Sequence, residues 1–258
     1  MTMRRHVIAG LGATGLAAGI TVAKAQTAQK TFLLVHGSWA GGWIWRRVAD
    51  LLEKRGHKVF APTLTGLGER SHLLDAKVNL ATHITDIVNV IKWEQLNNFV
   101  LVGHSYGGNV ISGVAERAER AISSIVFVDA FVPDNGPLPN SDTVFDAIRA
   151  AKEKGEIVLK PPPVEFFQNN ENDRAWLEAM FTPQPIAAYT SSLTFTGARE
   201  RIAKKTFIRA TRYRVPAFDA QYAKVRSNPA WRTYALDCGH HAMVDMPERV
   251  TEILLEAA

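Results

Sequence analysis

Apolar and polar positions follow two alternating patterns along most of this chain. Residues 31–37 (TFLLVHG) and 57–62 (HKVFAP) are short apolar runs that end at glycine or proline, as buried strands often do. Between them, apolar residues recur at helical spacing until Gly56, and glycine often ends a helix. The pattern therefore predicts a strand, a helix and a second strand.

The alternation continues as far as residue 130. It predicts helices over 82–96 and 108–118, and strands over 98–103 and 123–130. Strands that are apolar throughout and are separated by helices are typical of a mostly parallel sheet with helices on both faces. We therefore predict an α/β fold of this kind.

The pattern breaks between about residues 133 and 205, where prolines cluster. One helix is predicted there, over 172–181, with Asn172 or Asp173 as its cap. Strands over 205–211 and 231–241 and a terminal helix that begins near Pro247 then restore the alternation. We interpret 133–205 as a lid inserted into a single domain that spans 26–258, after the strand that ends at Asp129.

The first 25 residues predict an export signal. They combine the pair Arg4 and Arg5, a mildly apolar middle and a small-residue cleavage site at 23–25 (AKA). The arginine pair is typical of the twin-arginine route, although Met3 stands where serine or threonine is usual. We therefore expect a periplasmic or secreted protein. No other segment is long and apolar enough to span a membrane, so no stable membrane association is expected after signal removal.

Composition excludes several classes of protein. With 47% hydrophobic and 21% charged residues, the chain is neither disordered nor fibrous. The predicted signal carries three positive charges and no acidic residue, so its removal lowers the net charge from +5 to +2, and no nucleic-acid partner is implied. Cys238 is the only cysteine and cannot form an internal disulfide. The oligomeric state is not predicted.

The segment 101–108 (LVGHSYGG) contains a candidate nucleophile. Gly103-His104-Ser105-Tyr106-Gly107 fits G-x-S-x-G between a predicted strand and a predicted helix, which is the setting of a nucleophile elbow. Without that setting the motif is weak, and the serine could be idle in a glycine-rich turn. In this context Ser105 is predicted to be the nucleophile.

A serine nucleophile needs a base and a pair of oxyanion donors. Among the eight histidines, His240 and His241 lie in the loop after the last predicted strand, where the base follows the nucleophile in chain order, and His240 is favoured. The backbone N–H groups of Tyr106 and Ser38 are the predicted oxyanion donors, because Ser38 lies in the glycine-rich loop after the first strand.

Four motifs together identify a resemblance. LLVHGSWAGGWIW, LVGHSYGGNVISGVAE, VFVDAFVPDNG and CGHHAMVDMP occur in this order. The chain resembles the α/β-hydrolase family, and within it the branch of plant hydroxynitrile lyases, plant hormone methylesterases and bacterial esterases. The resemblance implies an α/β-hydrolase fold over about 32–258, and it supports His240 as the base because that family's histidine precedes a short x-A-M or x-V-M run.

The acid departs from the plant pattern. The resemblance implies an aspartate just after the next-to-last strand, but no carboxylate occurs there before Asp219. A variant of the fold takes its acid from the strand after the nucleophile helix, where Asp129 stands. Asp129 is therefore favoured, and its alternatives are Asp219, Asp237, or a structural role for Asp129 as a cap of the following loop.

The predicted function is hydrolysis of a carboxylic ester, or a related acyl bond, of a small organic substrate through an acyl-enzyme on Ser105. The alternatives are a cofactor-free lyase of the hydroxynitrile lyase type and a binding protein without turnover. The resemblance implies that a lyase has threonine and lysine where this chain has Gly37 and His241, which favours the esterase. Neither a metal nor a cofactor is implied.

Two further interpretations concern the surroundings of the site. Phe131 and Trp176 are predicted to line the substrate pocket, with plain packing as the alternative. The run 199–214 has seven Lys or Arg and one Glu, and we interpret it as a solvent-exposed return from the lid.

Overall fold

The structure is a computed structural model that describes residues 28–258. The predicted export signal over 1–25 lies outside the described residues. Within the part described, no helix is both long enough and apolar enough to cross a membrane.

Ten strands and nine α-helices make up the described chain. The strands are β1 Thr31–Val35, β2 Lys58–Phe60, β3 Phe99–His104, β4 Ile122–Val128, β5 Gly136–Pro137, β6 Val158–Leu159, β7 Gln184–Pro185, β8 Ser192–Leu193, β9 Lys204–Ala210 and β10 Trp231–Leu236. The helices are α1 Arg46–Lys54, α2 Leu80–Trp93, α3 Gly107–Ala118, α4 Asp142–Glu153, α5 Glu171–Met180, α6 Ala198–Arg201, α7 Pro216–Arg226, α8 Ala242–Asp245 and α9 Pro247–Ala257. Short 3-10 helices cover Gly42–Trp45, Gly68–Leu73, Glu119–Ala121, Val164–Phe167 and Ile186–Ala188.

Six strands form one parallel sheet in the order β10, β9, β4, β3, β1, β2. The register aligns the carboxyl ends of the central strands, because Val35 lies opposite Gly103, His104 opposite Val128, and Val128 opposite Ile208. Parallel strands bring the loops that follow them to one edge of the sheet. The loops after β1, β3 and β4 therefore meet at that edge.

Helices cover both faces of the sheet, which confirms the predicted architecture. Alternate residues of β1 point to opposite faces, so Leu33 belongs to the core under α2 and α3, while Leu34 belongs to the core under α1 and α9. Because both faces are buried, the central strands are apolar at nearly every position.

The inserted segment, residues 133–203, leaves the sheet between β4 and β9. It contains two pairs of two-residue antiparallel strands and three helices. The prediction of one helix here was incomplete. Helix α4 was missed although Val144, Ile148 and Ala151 recur at helical spacing, because the prolines that cluster in this segment favoured irregular structure.

The predicted cap of α5 was wrong. The helix begins at Glu171, its N-cap position is Asn170, and no side chain caps it. Asp173, one of the two predicted caps, instead accepts a hydrogen bond from Arg47 Nη1 at 3.0 Å. The carboxylate of Asp173 therefore contacts α1 and does not cap α5.

The basic run over 199–214 was interpreted wrongly in part. Arg199, Lys205 and Arg209 are buried rather than solvated. Their charged groups find acceptors inside the molecule: Arg199 Nη1 donates to Pro133 O at 2.8 Å and Lys205 Nζ donates to Glu200 O at 2.9 Å. Buried charged groups are tolerated only with such partners. Arg209 has a different partner, Asp129.

Candidate active site

Ser105 lies in a strained turn between β3 and α3. Its φ angle is +52°, a left-handed conformation that is unusual for a residue other than glycine. The turn is held by three backbone hydrogen bonds: Ser105 N donates to Val128 O at 3.3 Å, and Ser105 O accepts from Gly108 N at 3.0 Å and from Phe131 N at 3.2 Å. The strand end that carries Asp129 therefore also fixes the serine. Strain of this kind is common at functional sites.

Two glycines permit the close packing of this turn. A Cβ atom on Gly107 would lie 2.7 Å from His36 O, and one on Gly37 would lie 2.8 Å from the Cβ of Ser105. Real Cβ atoms do not approach other atoms so closely, so neither position accepts a side chain without a shift. The glycine-rich loop after β1 thus lies directly against Ser105.

Asp129 and His240 form a buried hydrogen-bonded pair. Asp129 directly follows β4 and has a φ angle of +42°, and its Oδ2 lies 2.7 Å from His240 Nδ1. An ionised carboxylate only accepts hydrogen bonds, so we assign the proton to Nδ1 of His240. The other ring nitrogen, Nε2, is then an acceptor. Neither side chain is exposed to solvent by more than a few per cent.

Arg209 on β9 holds the other oxygen of this carboxylate. Its Nη1 donates to Asp129 Oδ1 at 2.6 Å, and the backbone N–H of Ala210 donates to the same oxygen at 3.1 Å. Burial raises the pKa of Asp129 to about 6, while Arg209 and the Ala210 amide act in the opposite direction. The sequence analysis missed Arg209 because it lies in the run 199–214, which was interpreted as solvent-exposed.

The pKa of His240 is lowered well below its usual range. Burial is the main cause, and the positive charge of Arg209 lowers it further. His240 is therefore neutral at neutral pH and has a free lone pair on Nε2. This is the protonation state that a general base requires.

The other candidate acids do not contact His240. Asp219 Oδ1 accepts from Arg209 Nη2 at 2.7 Å, so it lies on the far side of the guanidinium, with its side chain 64% exposed. The side chain of Asp237 is 88% exposed and lies 4.0 Å from Arg212. Of the three predicted candidates, only Asp129 is brought to the histidine.

The two predicted oxyanion donors are Tyr106 and Ser38, which reach the serine from different loops. Tyr106 follows Ser105 at the start of α3, and Ser38 follows the glycine that packs against Ser105. Within residues 28–258, neither the Ser38 N–H nor the Tyr106 N–H donates to a protein acceptor. The Tyr106 hydroxyl is engaged elsewhere, 2.9 Å from His83 Nδ1. Both backbone donors are thus available to a bound group.

An aromatic shell surrounds His240. Tyr213 lies 4.1 Å from its ring centroid, Phe218 lies 5.1 Å away, and Phe167 stacks on it in a nearly parallel orientation at 5.8 Å. Phe167 comes from the inserted segment, and its carbonyl accepts from His240 N at 2.8 Å. The inserted segment therefore covers the base and excludes water from one side of it.

The two predicted pocket residues have different positions. Phe131 packs on Phe218 at 4.6 Å, one ring away from His240. Trp176 packs on Trp43 at 5.0 Å and lies under the guanidinium of Arg47 at 5.6 Å. A role in binding substrate stays a prediction for both, and the packing of Phe131 places it nearer to the base.

The described part of the chain offers no obvious metal site. Among residues 28–258, no group of three or more His, Cys, Asp or Glu side chains is arranged to hold an ion. Cys238 is buried, and burial raises the pKa of its thiol to about 12, so it is not a thiolate at neutral pH.

Comparison with known proteins matches this geometry to a family. Residues 32–253 match the model of the Alpha/beta hydrolase family. The carbendazim hydrolyzing esterase of Nocardioides sp. (strain SG-4G) is 38% identical over 236 residues, which cover 86% of this chain and 97% of that protein. Methyl jasmonate esterase 1 of Vitis vinifera is 29% identical over 164 residues, which cover 62% of this chain and 59% of that protein.

A solved structure shares the fold. An extracellular alpha/beta-hydrolase from a Paenibacillus species superposes with a TM-score of 0.77 at 23% identity, covering 89% of this chain and 99% of that chain. The relatives are named esterases and methylesterases, which is consistent with a carboxylesterase. The predicted resemblance is confirmed: the chain belongs to the alpha/beta hydrolase family.

Proposed function

We propose that this chain is a serine hydrolase that cleaves a carboxylic ester, or a related acyl bond, of a small organic molecule. The observation that carries the proposal is the 2.7 Å contact between His240 Nδ1 and Asp129 Oδ2, beside a serine with a φ angle of +52°. A neutral histidine that is oriented by a carboxylate is the arrangement that activates a serine hydroxyl. The esterase names of the relatives support the same reaction.

The first half of the reaction forms an acyl-enzyme. His240 Nε2 removes the proton of the Ser105 hydroxyl while Ser105 Oγ attacks the carbonyl carbon of the ester. The carbonyl oxygen becomes an oxyanion and accepts hydrogen bonds from the N–H groups of Ser38 and Tyr106. The intermediate then collapses, the bond to the leaving alcohol breaks, and His240 returns the proton to that alcohol.

The second half releases the acid. A water molecule attacks the acyl-enzyme, His240 Nε2 takes its proton, and the oxyanion is again held by the two backbone donors. Collapse of this intermediate breaks the bond to Ser105 Oγ, which regains its proton from His240. Asp129 stabilises the imidazolium that forms in both halves, and Arg209 holds Asp129 in its ionised form.

The hydroxynitrile lyase and binding-protein alternatives are less well supported. The lyase pattern calls for threonine and lysine at the positions of Gly37 and His241, and this chain lacks both. A binding protein without turnover has no need of a strained serine turn next to a carboxylate-oriented base. The substrate class is tested with a panel of methyl esters, carbamates including carbendazim, and mandelonitrile. Cyanide release from mandelonitrile without hydrolysis of any ester would favour the lyase.

The nucleophile is tested with a fluorophosphonate probe, which labels activated serines. We expect labelling of the wild type and of Ser112→Ala, and none of Ser105→Ala. Ser112 is a matched control because it is a buried serine on α3 whose hydroxyl donates to Gly108 O. Equal labelling of Ser105→Ala and the wild type would contradict the proposal.

A further inference from the structure

A second histidine lies beside the proposed base. The ring of His241 lies 5.2 Å from that of His240 and 5.1 Å from that of His104, measured between centroids. It is packed between Phe167 at 4.8 Å and Phe181 at 5.6 Å, both from the inserted segment, and it is only 2% exposed. The proposed mechanism leaves this side chain without a function.

The orientation of His241 is set by a buried amide. His241 Nδ1 lies 2.7 Å from Asn169 Oδ1, and Asn169 Nδ2 donates to Asp245 Oδ1 at 2.9 Å. Asn169 is 2% exposed, and its side chain joins the inserted segment to the loop that carries both histidines. The contact is therefore well enclosed.

Asp245 anchors this chain of hydrogen bonds. Its side chain is fully buried, and its two oxygens accept from Gly239 N at 2.8 Å and from Asn170 N at 3.2 Å, in addition to Asn169. Arg212 Nη2 lies 3.5 Å from Oδ2 and supplies a positive charge. Both oxygens of Asp245 therefore act as acceptors, and these contacts fix the position of its side chain.

These contacts determine which nitrogen of His241 carries the proton. The carboxylate of Asp245 accepts only, so the atom that Asn169 presents to it is the amide NH₂. The amide oxygen of Asn169 therefore faces His241, and it accepts a hydrogen bond from Nδ1–H. In a neutral ring, Nε2 of His241 must then be an unprotonated acceptor.

The ring is neutral in its surroundings. Burial lowers the pKa of His241 well below its usual range, and the neighbouring His104 and His240 lower it further. The Asn169 amide carries no net charge, so it does not stabilise a protonated His241 as a carboxylate would. Because Nδ1–H is bonded to Asn169, the polar atom of His241 that remains for a ligand at neutral pH is the unprotonated Nε2.

That lone pair is not used by the protein. Within residues 28–258, no group donates to His241 Nε2, and this nitrogen is not one of the fully enclosed polar atoms that lack a partner. His104 Nδ1, by contrast, is enclosed and unpartnered. Within the same residues, His240 Nε2 and Ser105 Oγ also have no protein hydrogen-bond partner and are not among the fully enclosed polar atoms.

We propose that His241 is a specificity-determining residue whose Nε2 accepts a hydrogen bond from the substrate. The site then prefers esters that carry an O–H or N–H donor close to the scissile carbonyl, such as α-hydroxy esters, β-hydroxy esters and carbamates with an N–H group. A ligand that lacks the donor leaves this buried acceptor unpaired, which costs binding free energy. The inference rests on the proposed ester hydrolysis.

The test uses pairs of substrates that differ only in the donor. Each α-hydroxy ester, β-hydroxy ester or N–H carbamate is paired with its O-methyl or N-methyl counterpart, and kcat/KM is measured for both. We expect at least one pair for which the ratio of the two values falls about tenfold in His241→Leu. Intrinsic differences in reactivity between the two substrates cancel, because the same pair is compared in wild type and variant.

Two further variants separate hydrogen bonding from packing. Asn169→Leu removes the group that fixes the His241 tautomer, and the ratio should fall by about threefold. Phe181→Leu changes a wall of the same ring without removing an acceptor, so the ratio should stay within about twofold of the wild-type value. An unchanged ratio in His241→Leu for every pair, in a protein whose ester hydrolysis still depends on Ser105, would overturn the inference and leave the proposed function standing.

Binding is measured independently of turnover in Ser105→Ala. In protein labelled with ¹⁵N-histidine, we expect the unprotonated Nε2 signal of His241 to shift when a β-hydroxy ester is added and not when its methyl ether is added. Equal shifts with both ligands, or a protonated Nε2 in the free protein, would contradict the inference even if no ester proved to be a substrate.

Discussion

His240 and His241 are neighbours in the chain with similar surroundings and different partners. Both are buried, both have a lowered pKa, and each is in contact through Nδ1 with a side-chain oxygen at 2.7 Å. For His240 that oxygen belongs to the carboxylate of Asp129, and for His241 it belongs to the amide of Asn169. The difference between them is therefore one of charge.

Charge decides what each ring can do. When a base accepts a proton it becomes an imidazolium, and a carboxylate about 4 Å away stabilises that cation by about 4 kcal/mol at an effective dielectric constant of 20. An amide carries no net charge and offers far less. His240 is thus suited to proton transfer, whereas His241 is suited to accepting a hydrogen bond without changing its protonation state.

Removing each ring separately gives the largest predicted contrast. His240→Ala should lower kcat for an ester without a donor group by a factor on the order of 10⁵ to 10⁶, because it removes the proposed base that takes the serine proton. His241→Ala should lower it by no more than about tenfold. Steady-state kinetics on one ester measures both. Comparable losses in two folded variants would show that the distinction between the rings is wrong.

Replacing Asp129, the partner of the base, should give the next largest loss of kcat. Asp129→Asn should lower kcat by about 10⁴-fold, because an amide stabilises the imidazolium poorly and allows the wrong tautomer. Asp219→Asn is the matched control, since it makes the same change on the opposite side of Arg209, and its effect should be about threefold or less. Circular dichroism and thermal unfolding establish that both variants are folded. The reverse ranking would assign the acid to Asp219.

The Asp129–His240 pair could be predicted from the sequence more readily than the Asn169–His241 pair. Ser105 and Asp129 each follow a continuous apolar strand, so the ends of the strands and the edge at which they meet follow from the hydrophobic pattern. The structure confirms those strands and brings Asp129 to His240. The functions of these residues stay predictions until they are tested by substitution.

Arg209, Asn169 and Asp245 could not be predicted because their positions depend on contacts between distant parts of the chain. Arg209 is 80 positions from Asp129, and it lies in the run 199–214, whose seven Lys or Arg were interpreted as solvent-exposed. Asn169 is 72 positions from His241 and lies between a 3-10 helix and α5, where no periodicity distinguishes it. Such pairings are set by tertiary packing rather than by local pattern.

The Asp129–His240 pair also predicts how activity depends on pH. Activity requires an ionised Asp129 and a neutral His240, so kcat/KM should fall as the pH falls through about 6, the raised pKa of Asp129. Arg209 lowers the pKa of both groups. Removing its charge in Arg209→Met should therefore raise both values and move the acidic limb of the profile upward by about one pH unit. A folded Arg209→Met enzyme with an unmoved limb would contradict this electrostatic role.

A stability measurement and two companion variants distinguish this electrostatic effect from lost packing. Arg209→Met leaves a buried carboxylate with one fewer partner, so it should also lower the free energy of unfolding by about 3 kcal/mol or more. Arg209→Lys retains the charge and should keep the acidic limb within about half a pH unit of the wild-type position, even if stability falls. Arg212→Met removes an arginine with no contact to Asp129 and should leave the limb in place.

Asp219→Asn should produce the smallest shift and have the opposite sign. It removes an exposed anion that offsets the charge of Arg209, so the guanidinium should act more strongly on Asp129 and His240. Their pKa values, and with them the acidic limb, should move downward by a few tenths of a pH unit at most, since the exposed carboxylate is screened by solvent. An upward shift would mean that Asp219 acts by positioning Arg209 rather than by balancing its charge.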